Sequence, residues 1–318
     1  MMSKPSDTAR QIVAIGECMV ELSDRTEGCR LGFGGDTLNT ALYLARLGMA
    51  VEYVTVLGDD PYSDGMIDAW RAEGIGIRFV RRAPGRLPGL YAIRTDTSGE
   101  RRFYYWRERS PARELLTDEH APTVAEALAQ AHLVYLSGIT VSILDEAQRR
   151  KLLALLDRVR ARGASVAFDQ NYRPAGWPDA ASARAWFDEF YRMSTHALPS
   201  IDDERPLCPG VVPEELTARL RRLGVVEVVV KEGGNGCWID TGEGLRHIPV
   251  TGDLVCIDST AAGDSFNAGY LAARLSGSTP DVAARAAHRL AGAVVAHPGA
   301  IIPRDAMPKI AAQERQGA

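Results

Sequence analysis

Two aspartates, Asp258 and Asp264, bracket a run of small residues in the stretch DSTAAGDSF (258–266). Phe266, Tyr270 and Leu271 then open an apolar face at helical spacing, which predicts a helix starting near Gly263. Ala261, Ala262 and Gly263 carry almost no side chain, so their N–H groups and the helix N-terminus can close on an anion. A phosphoryl group in transfer spreads charge over its equatorial oxygens, and donors fixed in advance stabilise it. A carboxylate on the same turn, Asp264, can take the proton of an attacking hydroxyl, work typically worth about 10²–10⁴ in rate. The competing reading makes Asp264 an ordinary cap or helix-dipole partner, worth about 1 kcal/mol.

Spacing excludes one other phosphate-binding motif and weakens a second. A Walker A loop needs Gly-Lys-Ser/Thr, and no lysine here follows a glycine. GFGGDT (32–37) begins like a dinucleotide fingerprint, but Thr37 stands where the third glycine belongs and the motif follows hairpin-like sequence. A nicotinamide dehydrogenase therefore lacks its signature. The same segment supplies Gly34, Gly35, Asp36 and Asn39. Glycines let a polyol approach the backbone, and Asp36 and Asn39 can hydrogen-bond adjacent hydroxyls. Asp36 as a helix N-cap is the alternative. VVVKEGGNG (228–236) ends a strand on Lys231, which can reach a phosphate as a point charge, or the segment is a hairpin turn into CWID. The six histidines show no metal-ligand spacing.

These residues need a scaffold, and the chain alternates between short apolar runs and helical patterns. Residues 11–16, 51–58, 132–138, 164–169 and 225–231 read as strands apolar on both faces, and 37–48 and 146–163 as helices. The alternation predicts an α/β fold: a doubly wound, mostly parallel sheet between helix layers. Residues 17–33 and 87–107 read as hairpins, the second turning at DTSGE (96–100), and together form a small β-lid over the carboxyl ends of the main strands. One domain over residues 1–318 is expected. Net charge is −4, so no global basic field recruits nucleic acid. Five cysteines without C-x-x-C spacing fit a reducing, cytoplasmic setting rather than a disulfide framework or zinc site. The start MMSKPSDTAR is polar, the apolar run after it is too short for a signal peptide, and no membrane span follows.

The segment 258–266 resembles the signature of the ribokinase-like carbohydrate kinases, usually Gly-Ala-Gly-Asp, with Ala261 in place of the first glycine. That form is similar to the group acting on 2-dehydro-3-deoxygluconate (KDG). IGECMVELS (15–23), GFGGDTLNTALYLARLG (32–48), RLPGLYAIRTDTSGERRFYYWR (86–107), YLSGI (135–139), FDQNYRP (168–174), VVVKEG (228–233) and GAIIPRDAMP (299–308) resemble segments of that group in the same order. The resemblance implies a ribokinase-like three-layer α/β/α fold and an ATP-dependent kinase that phosphorylates the 6-hydroxyl, with magnesium bridging the ATP phosphates. It makes Asp264 the base and 261–263 the anion hole, and sets Gly233 and Gly236 against the nucleotide. Asp258 and Thr260 lie where relatives often hold a monovalent cation such as potassium, or Asp258 is a strand-end turn residue.

The substrate's own charge discriminates within the family. A carboxylate calls for a forked guanidinium, whereas fructose and ribose do not. Tyr105 and Arg107 share a face of one lid strand, Tyr91 lies in its partner, and Arg173 follows a strand end. By resemblance these contact the sugar acid. They do not separate KDG from its galactonate epimer. LPSIDDE (198–204) departs from the Asn-x-x-Glu motif that helps hold magnesium in many relatives, with Ser200 for the asparagine and Asp203 or Glu204 as the acid. The intact Asp264 argues against a catalytically silent sugar-acid sensor. Relatives that associate through their lids imply a homo-oligomer.

Overall fold

The computed structural model describes residues 11–25, 28–95, 101–252 and 255–309. The expected turn at 96–100 therefore lies outside the described residues. The first strand, β1 (Ile12–Ile15), is buried along its length. Ile12 and Ala14 enter one apolar core, Val13 and Ile15 the other. Successive side chains of a strand point to opposite faces, so a strand apolar on both must be covered twice. That requirement builds three layers.

The remaining strands are β2 (Met19–Arg25), β3 (Gly28–Gly34), β4 (Val51–Gly58), β5 (Val80–Ala83), β6 (Leu90–Thr95), β7 (Arg101–Trp106), β8 (Leu133–Ser137), β9 (Ser165–Asp169), β10 (His196–Ala197), β11 (Glu227–Lys231), β12 (Cys237–Asp240) and β13 (Arg246–Ile248). The helices are α1 (Asp36–Arg46), α2 (Pro61–Ala72), α3 (Ala121–Gln130), α4 (Gly138–Ile143), α5 (Glu146–Ala161), α6 (Ala180–Arg192), α7 (Ile201–Glu204), α8 (Pro213–Arg222), α9 (Ala262–Leu275) and α10 (Pro280–Val295). The main sheet has the order β13-β12-β11-β10-β9-β8-β1-β4-β5. It is parallel from β11 to β5, and β12 and β13 extend it antiparallel. The doubly wound sheet expected from the alternation is present. Apolar residues of α1, α2, α9 and α10 fill one core, and those of α3, α5, α6 and α8 fill the other. Among the described residues no helix is long and apolar enough to cross a membrane.

A second sheet has the order β3-β2-β6-β7. Each hairpin pairs antiparallel within itself, and β2 runs parallel to β6, which joins the two hairpins. Its edge strand β7 leaves Tyr104 and Trp106 46% and 58% exposed, so this sheet is apolar beyond what its own core needs.

The helices α9 and α10 pack closely because they meet through small residues. A Cβ added at Gly269 would lie 2.9 Å from Cα of Ala287. Gly269→Val is expected to destabilise the protein by about 1–3 kcal/mol through overpacking, read as a lower denaturant midpoint.

Candidate active site

In open parallel sheets, ligands bind beyond the carboxyl ends of the strands, near the point where strand order diverges. Here β1 is that point: the chain builds outward through β4 and β5 on one side and β8 to β11 on the other. A cavity of about 1840 Å³ opens there. The starts of α1 and α9 contribute Gly35, Asp36, Asn39 and Ala261 to Asp264 to its lining. The small sheet and the chain after it contribute Tyr91, Tyr105 and Arg107, and the strand ends Arg173, Ser200, Lys231, Gly233 and Gly236. Asp258 and Thr260 complete the set. Gly34 is the exception. It ends β3 beneath Tyr91, where an added Cβ would lie 2.3 Å from the Tyr91 hydroxyl, so its smallness serves the lid.

The helix α9 begins at Ala262, one residue before the expected start, and no side chain caps it. Asp264 is its third residue and does not act as a cap. Its carboxylate is buried, and Oδ2 accepts a 2.8 Å hydrogen bond from Nδ2 of Asn39. Its main-chain oxygen accepts from Oγ1 of Thr40 at 3.2 Å. Burial, and then the neighbouring Asp36 carboxylate, push the Asp264 carboxyl up to about 8, against the opposing effect of the Asn39 bond. Ala262 N–H donates to Ser259 O at 3.2 Å and so closes the turn before the helix. Ala261 holds φ 59°, the left-handed region, where an L-residue costs roughly 1–2 kcal/mol. The position that usually carries glycine in the signature is thus the position whose backbone calls for one.

Asp36 does not cap its helix either: Gly35 is the N-cap of α1 and makes no side-chain cap bond. Instead Asp36 Oδ2 accepts from Asn171 Nδ2 at 2.8 Å. Lys231 is buried, and its amine donates to Asp169 Oδ2 at 2.7 Å and to Asn267 Oδ1 at 3.2 Å. Asn267 in turn donates to Asp169 Oδ2 at 2.6 Å and to the Tyr135 hydroxyl at 3.0 Å. Sequence reasoning gave none of Asp169, Asn171 or Asn267 a role. The usable signals were Asp169's place at a strand end and Asn267's three-residue spacing from Asp264, which puts both on one helix face.

At the rim, the Arg107 guanidinium pairs with the buried carboxylate of Glu17, another residue that sequence reasoning passed over. The guanidinium also lies 5.8 Å from the Tyr105 ring. The Tyr91 hydroxyl donates to Glu21, and the Tyr91 and Tyr105 rings are 6.1 Å apart. Arg173 pairs with Asp203 at 2.8 Å. Burial raises the Asp203 carboxyl although Arg173 opposes it. Of the two candidate acids, Asp203 lines the cavity, whereas Glu204 is buried and pairs with Arg219 at 2.6 Å. Ser200 caps α7 by accepting from Asp202 N–H at 3.2 Å.

The glycine-rich segment forms the hairpin that was the alternative reading. β11 pairs antiparallel with β12, and a Cβ at Gly236 would lie 2.2 Å from Ile248 O. Gly233 and Gly236 nevertheless line the cavity. Asp258 accepts from Thr260 N–H at 3.0 Å and from Gly299 N–H, and so ties two loops together. Among the described residues no group of three His, Cys, Asp or Glu could hold a metal ion.

The family described as pfkB family carbohydrate kinase matches residues 9–307. The chain is 44% identical over 307 residues to a 2-dehydro-3-deoxygluconokinase of Escherichia coli (strain K12), covering 94% of this chain and 99% of the relative. It is 42% identical to the 2-dehydro-3-deoxygluconokinase of Dickeya dadantii (strain 3937), covering 95% of this chain and 99% of the relative. The crystal structure of a PfkB protein from Polaromonas sp. JS666 superposes with a TM-score of 0.78 at 26% identity, covering 89% of this chain and 95% of that one.

Two stability measurements test this geometry. Between about pH 4 and pH 8 the folded chain keeps a proton on Asp264 that the unfolded chain releases, so that carboxyl costs stability as pH rises through this window. Asp264→Asn is therefore expected to melt higher than the parent at pH 8, with the gap closing towards pH 4. Ala261→Gly relieves the left-handed strain and is expected to gain about 0.5–1 kcal/mol in denaturant unfolding.

Proposed function

The chain belongs to the pfkB family of carbohydrate kinases, and from that premise we propose that it phosphorylates 2-dehydro-3-deoxy-D-gluconate at its 6-hydroxyl, giving the 6-phosphate and ADP. One observation carries the reading. A single cavity holds a buried carboxylate at an uncapped helix start together with Arg107 and Arg173, the chemistry of phosphoryl transfer beside cations suited to a substrate acid. The kinships at 42–44% identity, both named for this reaction, support the same substrate.

Asp264 takes the proton of the attacking hydroxyl, and Asn39 fixes the direction of its carboxylate. The turn 261–263 and the first N–H groups of α9 receive the charge of the transferring group. Asp36 and Asn39 hold the sugar hydroxyls, while Tyr91, Tyr105, Arg107 and Arg173 receive its carboxylate end. The phosphate donor is ATP, bordered by Gly233 and Gly236. Magnesium would neutralise the ATP phosphates. An ion carried by phosphates and water would need little from the protein, and Asp203, the candidate acid that lines the cavity, would be its partner on this chain. A monovalent cation beside Asp258 and Thr260 belongs to the same proposal. Both Asp258 oxygens already accept main-chain N–H groups, so the residue would act by holding the loops that frame the ion. A homo-oligomer joined through the exposed aromatic edge at Tyr104 and Trp106 also belongs to it.

ADP release with MgATP, measured on KDG, its galactonate epimer, fructose and ribose, tests the reading. Turnover is expected on KDG and to fall as pH drops below about 8, because Asp264 must be ionised to act. Asp264→Asn should lose about 10²–10⁴ of kcat and still bind the sugar acid. Arg107→Met should raise KM for KDG about tenfold or more, with a smaller change in kcat. Turnover confined to fructose or ribose would sink the assignment to a sugar acid.

A further inference from the structure

A lysine at a strand end beside a phosphate site invites the reading of a phosphate ligand, and the structure places this lysine differently. Lys231 is 8% exposed and its amine already holds two partners, Asp169 and Asn267. It lies directly behind the anion-binding turn: a Cβ added at Gly263 would be 3.3 Å from Nζ. Asn267 sits three residues beyond Asp264 on α9, so the bond to it grips the helix one turn below the base. Asp169 continues the grip to the sugar side, since its Oδ1 accepts from Asn171 N–H at 3.2 Å and Asn171 holds Asp36 at 2.8 Å.

The charges around Asp264 make the need explicit. From α1 it faces Asp36 and the Tyr43 hydroxyl, from β8 the Tyr135 hydroxyl, and from the end of β9 Asp169. Arg173 faces Asp36 and Asp169 from the rim and is paired to Asp203. Among the described residues, Lys231 is a buried cation that acts on Asp264. We infer that Lys231 is a positioning residue: it supplies the buried countercharge beneath Asp264 and holds α9 one turn beyond it through Asn267, and it does not ligate the transferring phosphate.

The inference rests on the kinase reading, and its test separates the two. Lys231→Met removes the charge at similar length. Without that cation Asp264 ionises less readily, so the acid limb of kcat/KM is expected to move up by about one pH unit. KM for ATP should stay within about twofold of the parent. Adding Asp169→Asn to Lys231→Met removes an anion from the same surroundings and should bring the limb back towards the parent. The double variant also removes the buried carboxylate that Lys231→Met leaves without its cation, which guards against a single variant that fails to fold. The same displacement should appear in the pH dependence of Tm of the free protein, a readout that needs no turnover and stands even if KDG is not the substrate. A limb that stays in place while KM for ATP rises about tenfold would make Lys231 a phosphate ligand and overturn the inference. So would a double variant whose limb stays displaced.

Discussion

Three carboxylates, Asp36, Asp169 and Asp264, share one wall of the cavity, and two of them are almost withdrawn from water. A carboxylate withdrawn from water is costly unless it is hydrogen-bonded, so each is held by a donor fixed elsewhere. Asp264 is held by Asn39 of α1, Asp36 by Asn171 after β9, and Asp169 by Lys231 of β11 and Asn267 of α9. Every one of these bonds crosses between elements. The order of the sheet, the entry of α1 and the start of α9 are all constrained by the need to bring those donors to one place.

The sheet meets that constraint through its two cores. With both faces covered, the strands have little freedom to shift, and their ends present side chains at fixed spacing. Local strain is then tolerable at the turn before α9. Ala261 stays left-handed because α9 is clamped on both sides, by α10 at Gly269 and by Thr40 of α1 at the Asp264 carbonyl. The small sheet is tied on by a charge pair, Glu17 with Arg107, between the chain leaving β1 and the chain leaving β7.

Much of the fold was legible because the signal was local. Ile12–Ile15 and Leu133–Ser137 are apolar on both faces, which only a twice-covered strand satisfies. The small residues at 261–263 announced a backbone-lined turn before any contact was known. The cap readings of Asp36 and Asp264 failed for a physical reason: both have tertiary partners, from Asn171 and Asn39, that displace the local bond. Lys231 with Asp169, Arg107 with Glu17, and the parallel pairing of β2 with β6 were not legible. They join residues far apart in the chain, and no spacing rule connects them.

The bond from Asn39 to Asp264 spans 225 positions of chain. At roughly 5–20 residues per second of synthesis, its two ends emerge about 11–45 s apart. The β1 strand waits similarly for β8, its neighbour in space but not in order. Contacts of such long sequence separation make folding slow and place closure of the site late. A ribosome-bound chain that has exposed α1 and the small sheet therefore holds Asp36, Asn39, Tyr91 and Tyr105 but neither Arg173 nor Asp264. Competence arrives only when the last two long helices dock.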